Sequence, residues 1–312
     1  MLHEAAGMNL PEVRMRVLKR RRDPAAVNSR LIRRPIQRMF WLFLLPMTAA
    51  FCIGFVYPFL KGLFLSFCKF KLTSQWTWVG LNNYVKAFSD SSFLHAFWYT
   101  ALFAFVSVLF INVLAFAVAY FLTKGIKGSN LFRTVFFMPN LIGGIVLGYI
   151  WSMIFDGILV KYNTSVVLES KFGFWGLIIL MCWQQVGYMM IIYIAGLQSV
   201  PEDMLEAARI DGVGEWNIFF RIFIPSMRSS YATAITMTFM NTWNAFLWPL
   251  VIMTDTKKTT MPVFLSVLTD TGYTPDYGAV MLAVAITTFP TLIVFFALQK
   301  SFINGMAGSL KG

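Results

Sequence analysis

Six stretches of the 312-residue chain contain no Asp, Glu, Lys or Arg: Met39–Leu60, Tyr99–Thr123, Thr134–Phe155, Phe172–Ser199, Ser229–Thr254 and Tyr277–Gln299. Each exceeds the ~20 residues that a helix needs to cross ~30 Å of hydrocarbon. Water is absent at that depth, so backbone groups must pair within the segment, and each stretch is predicted to be helical. Composition agrees. Only 13% of the residues are charged, about half the ~25% of a soluble domain. The chain is therefore predicted to be an all-α polytopic membrane protein with six transmembrane helices. Collagen-like, disordered and disulfide-scaffold chains are excluded by 12 Pro without a period, 32 Phe and 3 Cys. The first apolar run begins at Met39 and lacks a small-residue cleavage site, which argues against a signal peptide.

Basic residues set the expected orientation. With the N-terminus inside, 18 of the 26 Lys and Arg fall on the inner side and 8 on the outer, while the acids split 8 and 6. The positive-inside rule then gives N-in, C-in. Residues 1–38 are expected to form a basic cytoplasmic tail ahead of a six-helix transmembrane body at 39–312. The run Lys19 to Arg22, with Arg30, Arg33 and Arg34, suits anionic lipid headgroups, so the net charge of +12 reads as a membrane-surface feature and not as a nucleic-acid footprint. Residues 61–98 make a long outer connection rich in interfacial rings such as Trp76, Trp78 and Trp98. One or two short helices are expected over Leu81–Phe97, broken between Ser89 and Ser92.

The spans lack the groups that other functions need. No intramembrane carboxylate is present for ion coupling, and no spaced Arg for voltage sensing. His3 and His95 are isolated, and Cys52, Cys68 and Cys182 fit no ligand spacing, so no metal or catalytic site is expected. Cys52 and Cys182 read as buried apolar residues. No G-x-x-x-x-G-K-[ST] phosphate loop occurs, so energy for uphill movement must come from another subunit.

What the windows do contain is amides: Asn112, Asn140, Gln184, Gln185, Asn241 and Asn244. Amides and rings together suit an uncharged polyhydroxylated ligand. Met237, Asn241, Asn244 and Trp248 follow helical spacing and are predicted to share one face. Two readings stand for these residues, a solute path (Asn140, Gln184, Asn241, Asn244, Trp248) and interhelical hydrogen-bonding glue. Gly144 and Gly148, with Gly143 beside them, predict close helix packing. Pro46, Pro139, Pro249 and Pro290 can kink or bound spans.

The most specific segment is Ser199–Arg228, between the fourth and fifth windows. Pro201 followed by Glu202 and Asp203 opens a helix that runs to Ile210, and Gly212 supplies a left-handed stop. A second helix is expected from Glu215 to Pro225. Two short helices meeting at a glycine corner form a knob that a simple linker would not need. The run Glu206-Ala207-Ala208, then Asp211-Gly212, then Ile224-Pro225, resembles the EAA loop of ABC importer permeases. Over residues 39–312 the chain is similar to the carbohydrate-uptake, maltose-type branch. Val79-Gly80-Leu81-Asn82-Asn83-Tyr84, Phe132-Arg133-Thr134 with Met138-Pro139, Trp243 to Pro249, and Leu310-Lys311-Gly312 carry that similarity.

The resemblance implies a type I ABC importer permease fold in a bacterial or archaeal inner membrane. It implies a second permease subunit, two cytoplasmic ATPases that bind the ATP, and an extracytoplasmic solute-binding protein that delivers a sugar. Valine 79 to Tyr84 is similar to one of the family's two paired permeases, and Trp243 to Pro249 to the other, so a different chain and a second copy both stand as the partner. ATPase coupling is implied for Glu206, Ala207, Ala208, Asp211 and Gly212. The competing functions are a permease for another polyol such as a glycerol phosphate, and a membrane-embedded enzyme or scaffold. The first would favour a basic residue in the path and the second a buried titratable cluster, and the windows hold neither.

Overall fold

The structure is a computed structural model that describes residues 39–72, 75–165, 170–253, 259–270 and 276–309. The basic tail, the carboxyl-terminal Leu310–Gly312 and parts of the last outer connection lie outside the described residues. The chain divides into two units, Met1–Lys61 and Gly62–Gly312.

The described part of the first unit belongs to one apolar helix, α1 (Met39–Leu65). A π-helical turn occupies Cys52–Val56. Phe51, Phe55 and Phe59 stack in sequence at i, i+4 spacing, with centroids 5.3 and 6.3 Å apart. Cys52 is exposed, contrary to the buried role expected for it. On an all-apolar helix a small thiol is as well placed toward lipid as toward protein.

The second unit opens with a hairpin that the helical reading had not anticipated. Strands β1 (Cys68–Leu72) and β2 (Gln75–Trp78) pair antiparallel, Cys68 opposite Trp78. Cys68 and Phe70 point inward and Lys69 outward, the period-two pattern of a half-buried strand. A two-stranded ribbon is marginal alone, and this one is tied down. Asn83 donates to the carbonyls of Ser66 (2.8 Å) and Cys68 (2.9 Å). Burial pushes the Cys68 thiol pKa up. The break falls at Asp90, within the expected Ser89–Ser92, but only the first of the two helices is short: α2 (Asn82–Ser89) is followed by the long α3 (Ser91–Thr123), which Asp90 caps through the Ser92 N–H at 2.8 Å. Helix α3 begins eight residues before its charge-free window, since the amphipathic turn at Ser91–Trp98 continues straight into the span.

The core lies where α3 packs along α6 (Ser170–Gln198), with α10 (Arg228–Trp243) against both and α13 (Tyr277–Ser309) packed on α10. Phe103, Ile111, Leu180, Met189 and Tyr193 are almost fully buried there. Cys182, on α6, is half-buried and not enclosed as expected. Helix α12 (Met261–Asp270) is pinned to α3 by its first N–H, which donates to Thr100 Oγ1 at 2.7 Å.

Five helices among the described residues are long and apolar enough to cross a membrane. Windows three and five are not single helices. The third holds the end of α4 (Ser129–Phe137), a 3-10 turn at Met138–Leu141 and most of α5 (Gly144–Leu159). The fifth holds α10, a break at Asn244–Phe246, and α11 (Leu247–Ile252). Prolines explain both. Pro139 and Pro249 lack an N–H, and each ring clashes with the carbonyl four residues earlier, at Val135 and Ala245. Pro290 stays inside α13 instead. There the Trp243 indole N–H donates to the Thr287 carbonyl at 2.8 Å, serving a neighbouring part of the disturbed ladder from outside.

The broken elements need close packing, and glycines provide it. A Cβ on Gly144 or Gly148 would stand 3.4 Å from Leu247 or Trp248, so the glycine pair seats α11 on α5 as predicted. Gly143 caps α5 and has no neighbour within 4 Å, so it adds nothing to that face. Gly187 on α6 is tighter, for a Cβ there would collide with the Phe136 carbonyl at the α4 break. Gly187→Ala should therefore destabilise the purified protein by about 1–3 kcal/mol, read as a lowered melting temperature in detergent. Gly157→Ala, with open space around it, should leave that temperature within a degree or two.

Candidate functional site: the inter-span loop and its stems

The loop after α6 is built by local rules. Pro201 caps α7 (Glu202–Ile210) in extended conformation, with Glu202 and Asp203 in the first turn and Arg209 in the last. These charges complement the helix dipole at both ends. The helix closes in a Schellman motif. The Val213 N–H donates to the Ala208 carbonyl (2.9 Å) and the Gly212 N–H to the Arg209 carbonyl (3.0 Å). Gly212 sits at φ +72° with no atom near a would-be Cβ. Conformation, and not crowding, is what demands glycine there.

Beyond the corner, Gly214 caps α8 (Glu215–Ile218), which widens into a π turn at Phe219–Phe223 and ends through α9 (Ile224–Ser226). Arg209 Nε and Glu215 Oε1 pair across the corner at 3.2 Å, both exposed. Such a pair contributes about 0–1 kcal/mol, so the corner is set by backbone. Ala208 and Ile218 turn inward, while Glu206, Ala207, Asp211 and Gly212 remain exposed. Met204 and Ile210 add exposed apolar surface on the same helix. The knob thus presents a mixed apolar and acidic edge.

The loop's two stems, α6 and α10, are tied to α3 by one buried polar cluster. Tyr193 on α6 donates to Asn112 Oδ1 on α3 at 2.6 Å. Asn112 Nδ2 donates to the Val108 carbonyl (2.7 Å) and reaches Thr238 Oγ1 on α10 at 3.4 Å. Tyr193 is 1% exposed and Thr238 fully buried. Sequence reasoning singled out Asn112 but missed Tyr193 and Thr238. The available signal was that a buried tyrosine hydroxyl finds a partner.

The expected substrate face is rearranged. Because α10 stops at Trp243, the 241, 244, 248 spacing does not make one helix face. Asn241 is exposed and donates to Gln185 Oε1 on α6 at 3.1 Å. Asn244 is exposed and folds back onto the Met240 carbonyl at 2.9 Å, closing the helix end. Trp248 is 7% exposed, packed over Gly148. Asn140, in the 3-10 turn, and Gln184, on α6, are half-buried. The five residues are spread over four elements and the break between α10 and α11. No group of three His, Cys, Asp or Glu able to hold a metal forms among the described residues.

Residues 112–308 match the family described as the binding-protein-dependent transport system inner membrane component, and the chain belongs to that family. It is a permease, a transport subunit of the ABC importer type, located in the inner membrane. It is 31% identical to a probable starch degradation products transport system permease protein of Thermoanaerobacterium thermosulfurigenes, over 83% of this chain and 92% of that one. The fold is similar to a bacterial ABC transporter involved in import of the acidic polysaccharide alginate. The TM-score is 0.69 at 20% identity, over 86% of this chain and 98% of that chain. The same transporter in complex with an alginate pentasaccharide-bound periplasmic protein gives 0.68 at 18% identity, over 85% and 94%. The fold is that of type I ABC importer permeases.

Tyr193→Phe would leave Asn112 Oδ1 without its donor. A loss of about 1–3 kcal/mol in stability is expected, measured as a lowered unfolding midpoint of the purified protein. Tyr188→Phe removes a long contact to the Met237 sulfur (4.0 Å) and should cost much less.

Proposed function

We propose that this chain is the permease subunit of an importer that moves a neutral sugar or oligosaccharide. Separate ATPase subunits bind the ATP and drive it, and an extracytoplasmic binding protein delivers the sugar. The observation that carries the reading is the loop, a backbone-locked knob whose two stems run directly into the spans. A permease without a phosphate loop needs such a handle to receive work done elsewhere. The starch-product and alginate transporters support a carbohydrate cargo, and the alginate complex supports a binding-protein partner. The second permease is a different chain or another copy of this one.

In this reading Glu206, Ala207, Ala208, Asp211 and Gly212 couple to the ATPase, with Ala208 as the inward anchor and the others at the edge. The chain carries no catalytic residue, metal or cofactor of its own. Asn241 and Asn244, exposed near the α10 end, lie on the solute path with Gln184 and Asn140, and Trp248 supports them from behind. The α10–α11 pair completes the sixth crossing, with both termini inside and residues 39–312 acting as one permease domain.

Gly212→Val forces a β-branched residue into positive φ, which costs at least about 1 kcal/mol at the corner. Sugar uptake and ATPase co-purification should both fall severalfold, with binding-protein docking unchanged. Full uptake with full ATPase retention would remove the coupling role. Orientation has its own test, in a chain lacking its three cysteines. New cysteines at Ser129 and Gly214 should react with an impermeant maleimide only from the cytoplasmic side, and one at Ser91 only from outside.

A further inference from the structure

At the loop end of α3 an open groove of about 770 Å³ runs between the last turns of that helix and the α8 segment. Its floor is aromatic, formed by Phe116, Tyr120, Phe121, Trp216 and Phe219. Phe121 and Trp216 are 60% and 78% exposed. Its mouth is basic. Lys124 lies one residue past the end of the span, with its ammonium held 4.5 Å over the Tyr120 ring. Among the described residues no carboxylate pairs with Lys124. Arg209 borders the same groove and uses only Nε on Glu215, leaving its terminal nitrogens to donate elsewhere.

We infer that this groove binds an anionic phospholipid, with the phosphate between Lys124 and Arg209 and an acyl chain along the aromatic floor. Three observations select that occupant. Two cations and a continuous set of aromatic rings line the same groove, which fits an amphiphile with a charged headgroup and an apolar chain. The groove lies where a long apolar helix leaves the hydrocarbon, and tyrosine and tryptophan favour that depth. The volume falls within the ~300–1,000 Å³ of sites that enclose small ligands, yet one wall is open, as a lipid entering sideways requires.

The consequence is mechanical. A headgroup held by Lys124 on α3 and Arg209 at the end of α7 bridges a span to the loop. Its phosphate would compete with Glu215 for the Arg209 guanidinium, a contact weak enough to yield. The inference goes beyond the importer reading and is tested on the chain alone, so the two can fail separately.

The test is native mass spectrometry of the full-length chain in detergent, titrated with phosphatidylglycerol or phosphatidylcholine of identical acyl chains. Lys124→Gln should weaken phosphatidylglycerol binding about fivefold, the weight of one basic contact. Lys127→Gln, three residues further along the chain and outside the groove, should not. Ala117→Trp, which fills the trough without touching its charges, should lower binding of both lipids. Equal phosphatidylglycerol retention by the wild type and both lysine variants would overturn the proposal, as would equal affinity for the two lipids. So would a cysteine at Ala117 that cross-links to a second permease in native membranes, since the groove would then be a protein interface.

Discussion

Every backbone N–H and C=O inside an apolar slab needs a partner from protein, and this fold is shaped by the places where proline denies one. Ahead of Pro139 and Pro249 the helices stop, α4 at Phe137 and α10 at Trp243. Parts of the freed segments are then held against neighbours: Pro139 and Ala245 are buried, while Leu141, Ile142 and Leu247 stay exposed. The Phe136 carbonyl lies against Gly187 of α6, where only a residue without a side chain admits it. The α11 fragment that follows Asn244–Phe246 settles on the glycine pair of α5, so the two interrupted windows pack on each other. Breaks and glycines are one design: each interruption needs a partner close enough to replace solvent, and close approach needs glycine.

Much of this was legible in the sequence, and the divide follows the range of the interactions. Charge depletion marks the spans because insertion depends on summed side-chain polarity, a local sum. The α7–Gly212–α8 corner was legible because Pro201, the acids after it and Gly212 act on their own backbone. The prolines were visible too, but whether each ends a helix or sits inside one is decided elsewhere. Pro290 stays within α13, where Trp243, over forty residues away, donates to a nearby carbonyl. The hairpin at Cys68–Trp78 shows its alternation in the sequence. Its persistence depends on Asn83 and on Gly278 against the Cys68 carbonyl, contacts that no local pattern announces.

The amides illustrate how one residue type divides into two roles. Asn112 is half-buried and fully engaged, with Tyr193, Val108 and Thr238 around it. Asn241 and Asn244 are exposed, with one donor each committed and the rest of each amide free to meet other groups. A buried amide with every direction used serves as structure, since moving it would strand several polar groups at about 1–3 kcal/mol apiece. An exposed amide with spare donors can exchange partners at little cost. The periodic face drawn through 241, 244 and 248 fails because α10 ends, yet the chemical distinction between these amides survives.

Burial also decides how motion at the loop reaches the spans. The exposed Arg209–Glu215 pair is too weak to impose a geometry on the corner. The Schellman closure at Gly212 is set by backbone hydrogen bonds and a left-handed φ, so α7 and the segment after it are locked at the corner itself. The loop so locked joins α6 at Gln198 to α10 at Arg228, so any displacement of α7 would act on both stems. Those stems cannot slide independently, because Tyr193 on one and Thr238 on the other meet at Asn112 on α3. A force on the knob is therefore divided between two helices that share a buried polar pivot. The part of α10 beyond that pivot, carrying Asn241, is joined to α6 by a single amide contact. On its other side that outer part is held by the Trp243 indole N–H on the Thr287 carbonyl of α13, so its end is fixed to two helices.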